Sequence, residues 1–165
     1  MAEIKIPCTY EDAMNHPDSD SWLEACVEEL GALRETNTYI PVHVSEADPH
    51  NIVGCRWVFA IKKNANGEVE HYKVCIVMKG FNQIYVINYD EMFTPVVKWS
   101  SIRILLTLAT QSDLEVHQMD VKTAFLNGDL EHEIFMSPPP GCADYGRKDI
   151  IWKLKKSLYG LKQAS

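Results

Sequence analysis

No run of apolar residues in this sequence approaches the ~20 needed to span a bilayer, and the opening stretch Met1–Cys8 holds no apolar segment long enough for a secretory signal. Both absences lead to the expectation of a soluble, intracellular chain without a membrane partner. The five cysteines (Cys8, Cys26, Cys55, Cys75, Cys142) are odd in number and contain no C-x-x-C pair. That disfavours a disulfide framework or a zinc cage and favours free thiols in a reducing compartment. None of the six histidines lies three or four residues from another, so the histidine spacing of a metal site is missing. Internal repeats and low-complexity segments are missing too.

A strongly basic surface is also lacking. The net charge is −7, but it is unevenly spread. Residues 1–50 carry 11 acids and two bases, Lys5 and Arg34, whereas residues 51–165 carry 12 acids and 14 bases. An acidic lead segment therefore precedes a mildly basic remainder. Neither is the cationic patch that would by itself announce phosphate binding. With 165 residues, 46% hydrophobic and 24% charged, the composition suits one compact unit.

Asp18-Ser-Asp-Ser-Trp22 opens a helix, with Trp22, Leu23, Cys26, Leu30 and Leu33 at helical spacing and acids crowding the first half, where the helix dipole favours them. It reads as a solvated helix on the outside of the fold. Gly54–Lys79 reads as a hairpin: Arg56–Lys62 and His71–Met78 are strand-like, and Asn66-Gly67 accepts the positive φ of a tight turn. After an irregular stretch to Trp99, Ser100 or Ser101 caps a second helix reaching about Ser112, with Ile102, Leu105, Leu106 and Ala109 on one face. Leu114–Asp120 is expected as a strand running into a helical turn, Val121–Asn127. Glu133–Met136 and Ile150–Leu154 are expected as short strands around the loop Pro138–Gly141, and a helix is expected from Ser157. A helix beginning eight residues before the last one reads as a truncation. Strands and helices do not alternate strictly, so the fold class is α+β.

The sharpest chemical feature is Met119-Asp120-Val121-Lys122-Thr123-Ala124-Phe125, which places an acid at a strand end and an aromatic five residues later. Nucleotidyl transfer needs acids at rigid positions, because two magnesium ions must be held about 3.5–4 Å apart by hard oxygen ligands. A strand-end aspartate can equally be a turn or capping residue, and the residues alone leave both open.

Around it, in order, lie Trp57-Val-Phe, Lys79-Gly-Phe-x-Gln83, Phe93-x-Pro-Val-Val-Lys98, Ser101-Ile-Arg103, His117-Gln-Met-Asp-Val-Lys-Thr-Ala-Phe-Leu-Asn-Gly128 and Ser157-Leu-Tyr-Gly-Leu-Lys-Gln-Ala-Ser165. From about Thr9 to Ser165 the chain closely resembles the reverse transcriptase domain of copia-type retrotransposon Pol polyproteins. The resemblance implies the fingers and partial palm of a right-hand polymerase, an RNA-directed DNA polymerase working through magnesium on a template–primer and deoxynucleoside triphosphates. It also implies the rest of a Pol polyprotein as partner, and a cytoplasmic virus-like particle or the nucleus as location. Residues 1–50 would then be an acidic lead segment with a helix, about 51–99 a fingers-like hairpin and loop, and about 100–165 an incomplete palm. Asp120 matches the first catalytic, metal-binding aspartate and the Val121 carbonyl the backbone ligand beside it. Phe125 matches the aromatic under the incoming sugar, although a phenylalanine in the triplet Ala124-Phe125-Leu126 can equally be core packing. Tyr159, Gly160 and Lys162 match the start of a helix lining the nucleotide and template pocket. Lys62, Lys63 and Lys73 lie on the fingers-like hairpin, where cations would meet the triphosphate or simply be solvated.

The chain departs from that family in two ways. The paired aspartates of the family's next hairpin are not among these 165 residues, and neither are the thumb and ribonuclease H regions. In the fingers, Lys73-Val-Cys75-Ile-Val-Met78-Lys79-Gly80 stands where the family typically reads Lys-Ala-Arg-Leu-Val-Ala-Lys-Gly, and Val86, Asn88 and Met92 replace Gly, Asp and Thr. Three readings follow: a polymerase fragment not competent alone, a non-catalytic domesticated module binding nucleic acid or protein, and a decayed transposon relic.

Overall fold

The computed structural model describes residues 5–83, 97–119 and 129–162. The lead segment begins with a reciprocal cap. The Thr9 hydroxyl accepts the Asp12 N–H at 3.1 Å, and the Asp12 carboxylate accepts the Thr9 N–H at 3.0 Å. This starts the short helix α1 (Tyr10–Met14). Helix α2 (Ser19–Glu35) follows and buries Trp22, Ala25, Cys26, Leu30 and Leu33, the three-and-four spacing of one helical stripe. It ends where Asn37 takes φ 51° and Thr36 Oγ1 donates to the Ala32 carbonyl at 2.7 Å. The expectation of a solvated outer helix is thus half met. Glu24 and Glu28 are exposed, but the opposite stripe is part of the main core.

Among the described residues, six strands form two sheets: β1 (Tyr39–His43), β2 (Ile52–Val53), β3 (Cys55–Lys63), β4 (Val69–Met78), β5 (Asp129–Met136) and β6 (Ile150–Lys156). Four of them make a sheet in the order β1-β6-β5-β2, antiparallel except where β2 runs parallel to β5. The other two are the expected hairpin, in register from Cys55↔Met78 to Lys62↔His71. Its turn is built as the Asn-Gly signal requires. Asn64 Oδ1 accepts the N–H groups of Asn66 and Glu68, both at 3.0 Å, and Gly67 sits at φ 81°.

Alternation along the hairpin separates two faces. Trp57, Phe59, Val74, Ile76 and Met78 are buried with Trp22 of α2 and with Ile134, Met136, Trp152 and Leu154 of the larger sheet. Trp22 meets Phe59 edge-on at 5.4 Å and Tyr72 edge-on at 4.6 Å, a favoured aromatic geometry. Tyr39 stacks on Trp152 at 3.7 Å. The polar handles of two tryptophans are satisfied, Trp57 Nε1 by the Pro140 carbonyl at 2.8 Å and Trp152 Nε1 by Asp144 at 3.0 Å. Trp22 Nε1 is buried without a partner. The Tyr10 ring lies against Gly141, where any side chain would strike it, and stacks on Trp57. The lead segment therefore clamps the proline-rich loop onto the hairpin.

The sequence expectations need three corrections. The second helix, α3 (Trp99–Gln111), starts after Lys98 rather than after a serine cap. None of its residues is buried, and Leu105 and Leu106 are 66% and 48% exposed. Residues 114–119, expected as a strand, form none and are exposed. No helix forms over Ser157–Lys162: the chain makes turns there, with Gly160 at φ 87°. No described helix is long and apolar enough to cross a membrane.

Candidate functional site

The polar face of the hairpin is defined by its register. Ala60 pairs with Lys73, Lys62 with His71, and Val58 with Cys75, so Lys62, His71, Lys73 and Cys75 share the side away from the core. Lys62, His71 and Lys73 are exposed and Cys75 is half-buried. Along the edge of β4, between the hairpin and α2, runs a cleft of about 620 Å³. Lys62, His71, Lys73 and Cys75 of the hairpin and Glu28, Glu29 and Glu35 of α2 line it, and Tyr159 lines it as well.

Three residues singled out from sequence, Lys62, Lys73 and Tyr159, thus meet in one cavity. Gly160 and Lys162 stand beside it in the same turn, with Gly160 exposed and Lys162 half-buried. Asp120, Val121 and Phe125 lie outside the described residues. Sequence reasoning missed two features of the cleft. His71 was legible in principle, because a two-stranded register counted from Asn66-Gly67 sets it opposite Lys62. The glutamate wall has the sequence pattern of a solvated face, and nothing local shows that Glu29 turns inward.

Glu29 Oε1 accepts the Ile76 N–H at 3.1 Å. It therefore satisfies one outward N–H of β4, whose far edge has no strand partner among the described residues. Burial raises the pKa of Glu29 above its ordinary 4.5, against the lowering influences of that hydrogen bond and of Lys73. The Cys75 thiol is raised by burial and then by Glu29. Burial likewise pushes Cys55 up to about 12 and Cys26 to about 11, so these free thiols are poor nucleophiles.

The shift at Glu29 fixes a pH dependence. A raised folded-state pKa means that the folded chain holds the proton more tightly than the unfolded chain. Its stabilising contribution is then present below 4.5 and is lost as pH rises through the folded value. Glu29→Gln keeps the acceptor for Ile76 and removes the charge. Its urea midpoint should exceed that of the wild type at pH 7, and the two should converge below pH 4.5. A lower midpoint for the variant at pH 7 would contradict this account.

Among the described residues, no three of His, Cys, Asp and Glu converge as a metal site requires. The described part of the chain does not by itself fit a magnesium ion.

The fold is a two-sheet α+β unit with a cationic hairpin face, and the sequence pattern of the reverse transcriptase (RNA-dependent DNA polymerase) family matches residues 37–165; the chain belongs to that family. It is 45% identical over 164 residues to the retrovirus-related Pol polyprotein from transposon TNT 1-94 of Nicotiana tabacum, covering 99% of this chain and 12% of that protein. It is 42% and 41% identical to the retrovirus-related Pol polyproteins from transposons RE2 and RE1 of Arabidopsis thaliana, in each case over 88% of this chain and 10% of theirs. The chain spans about a tenth of the length of these curated relatives. No solved structure matches it.

Proposed function

We propose that this chain is a fingers and partial-palm portion of a right-hand, copia-type RNA-directed DNA polymerase, and that the cleft between α2 and β4 receives the polyphosphate of an incoming deoxynucleotide. The supporting observation is the convergence of Lys62, Lys73 and Tyr159 on one cavity. Lysine ammonium groups on an exposed strand face can meet phosphate oxygens with charge-assisted hydrogen bonds, and Tyr159 lines the same space with a ring and a hydroxyl. The acidic wall opposes this. Glu28, Glu29 and Glu35 put three carboxylates opposite two lysines, so phosphate binding should be weak and salt-dependent. Asp120 and the Val121 carbonyl would hold magnesium and Phe125 would lie under the sugar, while template–primer and the remaining Pol regions complete the system.

Titrating the 165-residue chain with dATP and following backbone amide signals tests the reading. The signals of Lys62, Lys73 and Tyr159 should move together, and the response should weaken as salt is raised. Absence of any response at these three would end it. Because Asp120 is the one match among these residues to the family's three catalytic carboxylates, the chain alone should not extend a primer on poly(rA). Extension abolished by Asp120→Asn would show that unrecognised carboxylates complete the site.

Cys75 favours the second reading, a decayed copy. The family's typical arginine would stand in this cleft facing Glu29, whose one described hydrogen bond is to a backbone N–H. Cys75→Arg has room in the cavity and supplies the cation. It should lower the Glu29 pKa and tighten dATP binding severalfold, and unchanged affinity would mean that position 75 does not address the phosphate.

A further inference from the structure

The turn that carries Tyr159 is held by a residue from the segment after β4 that has not yet been given a role. Gln83 is 4% exposed, and its side chain is one of the few buried polar groups of the described chain. Its Oε1 accepts the Lys162 N–H at 2.8 Å, and its carbonyl oxygen accepts Lys162 Nζ at 3.3 Å. The two residues are 79 positions apart in sequence. Just before Gln83, the 3₁₀ turn Gly80–Asn82 ends with the Gln83 N–H donating to the Gly80 carbonyl at 3.1 Å. Just before Lys162, the Tyr159 carbonyl accepts the Met78 N–H at 2.7 Å.

Between these bonds the two backbones touch. A Cβ on Gly80 would fall on the Gly160 carbonyl oxygen, and one on Gly160 would fall on the Met78 carbonyl oxygen. Leu158 and Leu161 anchor the turn in the core at 1% and 5% exposure. Apolar burial is non-directional, so it fixes the depth of the turn without fixing its orientation. The hydrogen bonds to Lys162 supply that direction.

We infer that Gln83 is a positioning residue: by holding Lys162 it fixes the Tyr159–Lys162 turn against the end of β4 and so sets where Tyr159 stands at the cleft. The hairpin end and the turn then move as one body, and a displacement at either is felt at the other. The structural part of this inference stands on the contacts alone, and its consequence for nucleotide binding rests on the function proposed above.

Two variants separate the possibilities. Gln83→Met keeps length and bulk but removes the side-chain acceptor, while Gln83→Glu keeps an acceptor oxygen beside the Lys162 ammonium. Native-state amide exchange of the full 165-residue chain should show Lys162 exchanging about tenfold faster in Gln83→Met, the scale of one lost hydrogen bond. It should be near wild type in Gln83→Glu, with Ile134 and Trp152 unchanged in both. Unchanged exchange at Lys162 overturns the inference, and so does a uniform rise that includes Ile134 and Trp152, because Gln83 would then serve only global stability. In a dATP titration, Gln83→Met should weaken the Tyr159 response severalfold while Lys62 and Lys73 still respond. An unaltered Tyr159 response overturns the positioning of Tyr159. If the wild-type chain shows no dATP response at all, the proposed cleft function fails, and the exchange measurement still decides the role of Gln83.

Discussion

Replacing Trp22 with alanine should remove a large part of this chain's folding stability. Trp22 is fully buried, meets Phe59 and Tyr72 edge-on, and joins α2 to the buried face of the hairpin. Truncating a buried tryptophan costs about 3–5 kcal/mol, against a total stability of about 5–15 kcal/mol for a typical domain. Trp22→Phe is the informative companion. The indole N–H is buried without a partner, an unfavourable state that phenylalanine removes while keeping most of the apolar contact. Thermal denaturation followed by circular dichroism should place Trp22→Phe close to the wild type and Trp22→Ala far below it. Trp22 precedes residue 37, where the family pattern begins to match. A Trp22→Ala variant that melts like the wild type would therefore make α2 an appendage. A collapse would make residues 10–35 part of the folding unit.

The elements legible in the sequence were those whose causes are local. The hairpin came from Asn66-Gly67 flanked by alternating residues, and its observed strands extend the expected ones by only one residue before Arg56, one after Lys62 and two before His71. Strand β1 was missed because Tyr39-Ile-Pro-Val-His43 interrupts a strand-like run with Pro41 and shows no clean alternation of burial. The sheet order explains why it exists. Among the described residues, β1 is an edge strand paired only with β6, the place where proline is tolerated. The Ser157 helix failed for the opposite reason. Its residues have ordinary helical character, but the backbone of Gly160 docks on a segment some 80 positions earlier, and no local pattern reports such a contact. The same holds for the cleft. The lysines were visible as hairpin cations, whereas the inward turn of Glu29 depends on α2 packing over the edge of β4.

Gly160→Ala should be more damaging than Gly67→Ala, although both glycines sit at nearly the same backbone angle, φ 87° and 81°. An L-residue in the left-handed region costs about 1–2 kcal/mol, and that strain is common to both variants. At Gly67 a Cβ meets nothing within 4 Å, so strain is the whole effect. At Gly160 the new methyl group would collide with the Met78 carbonyl oxygen and press on the Val77 side chain at 2.7 Å. The Met78 carbonyl is backbone within the hairpin and cannot swing aside as a flexible side chain would. Overpacking of this kind adds about 1–3 kcal/mol, bringing the expected loss at Gly160 to about 2–5 kcal/mol. The relief available to the chain is to lift the Tyr159–Lys162 turn away from β4, breaking the Met78–Tyr159 and Gln83–Lys162 hydrogen bonds. Chemical denaturation of the two variants measures the difference directly, and amide exchange at Met78 and Lys162 shows where it is spent. If the two variants lose the same stability, backbone docking contributes nothing beyond the positive φ. Gly160 is then a turn residue, and the turn is seated by Leu158 and Leu161 alone.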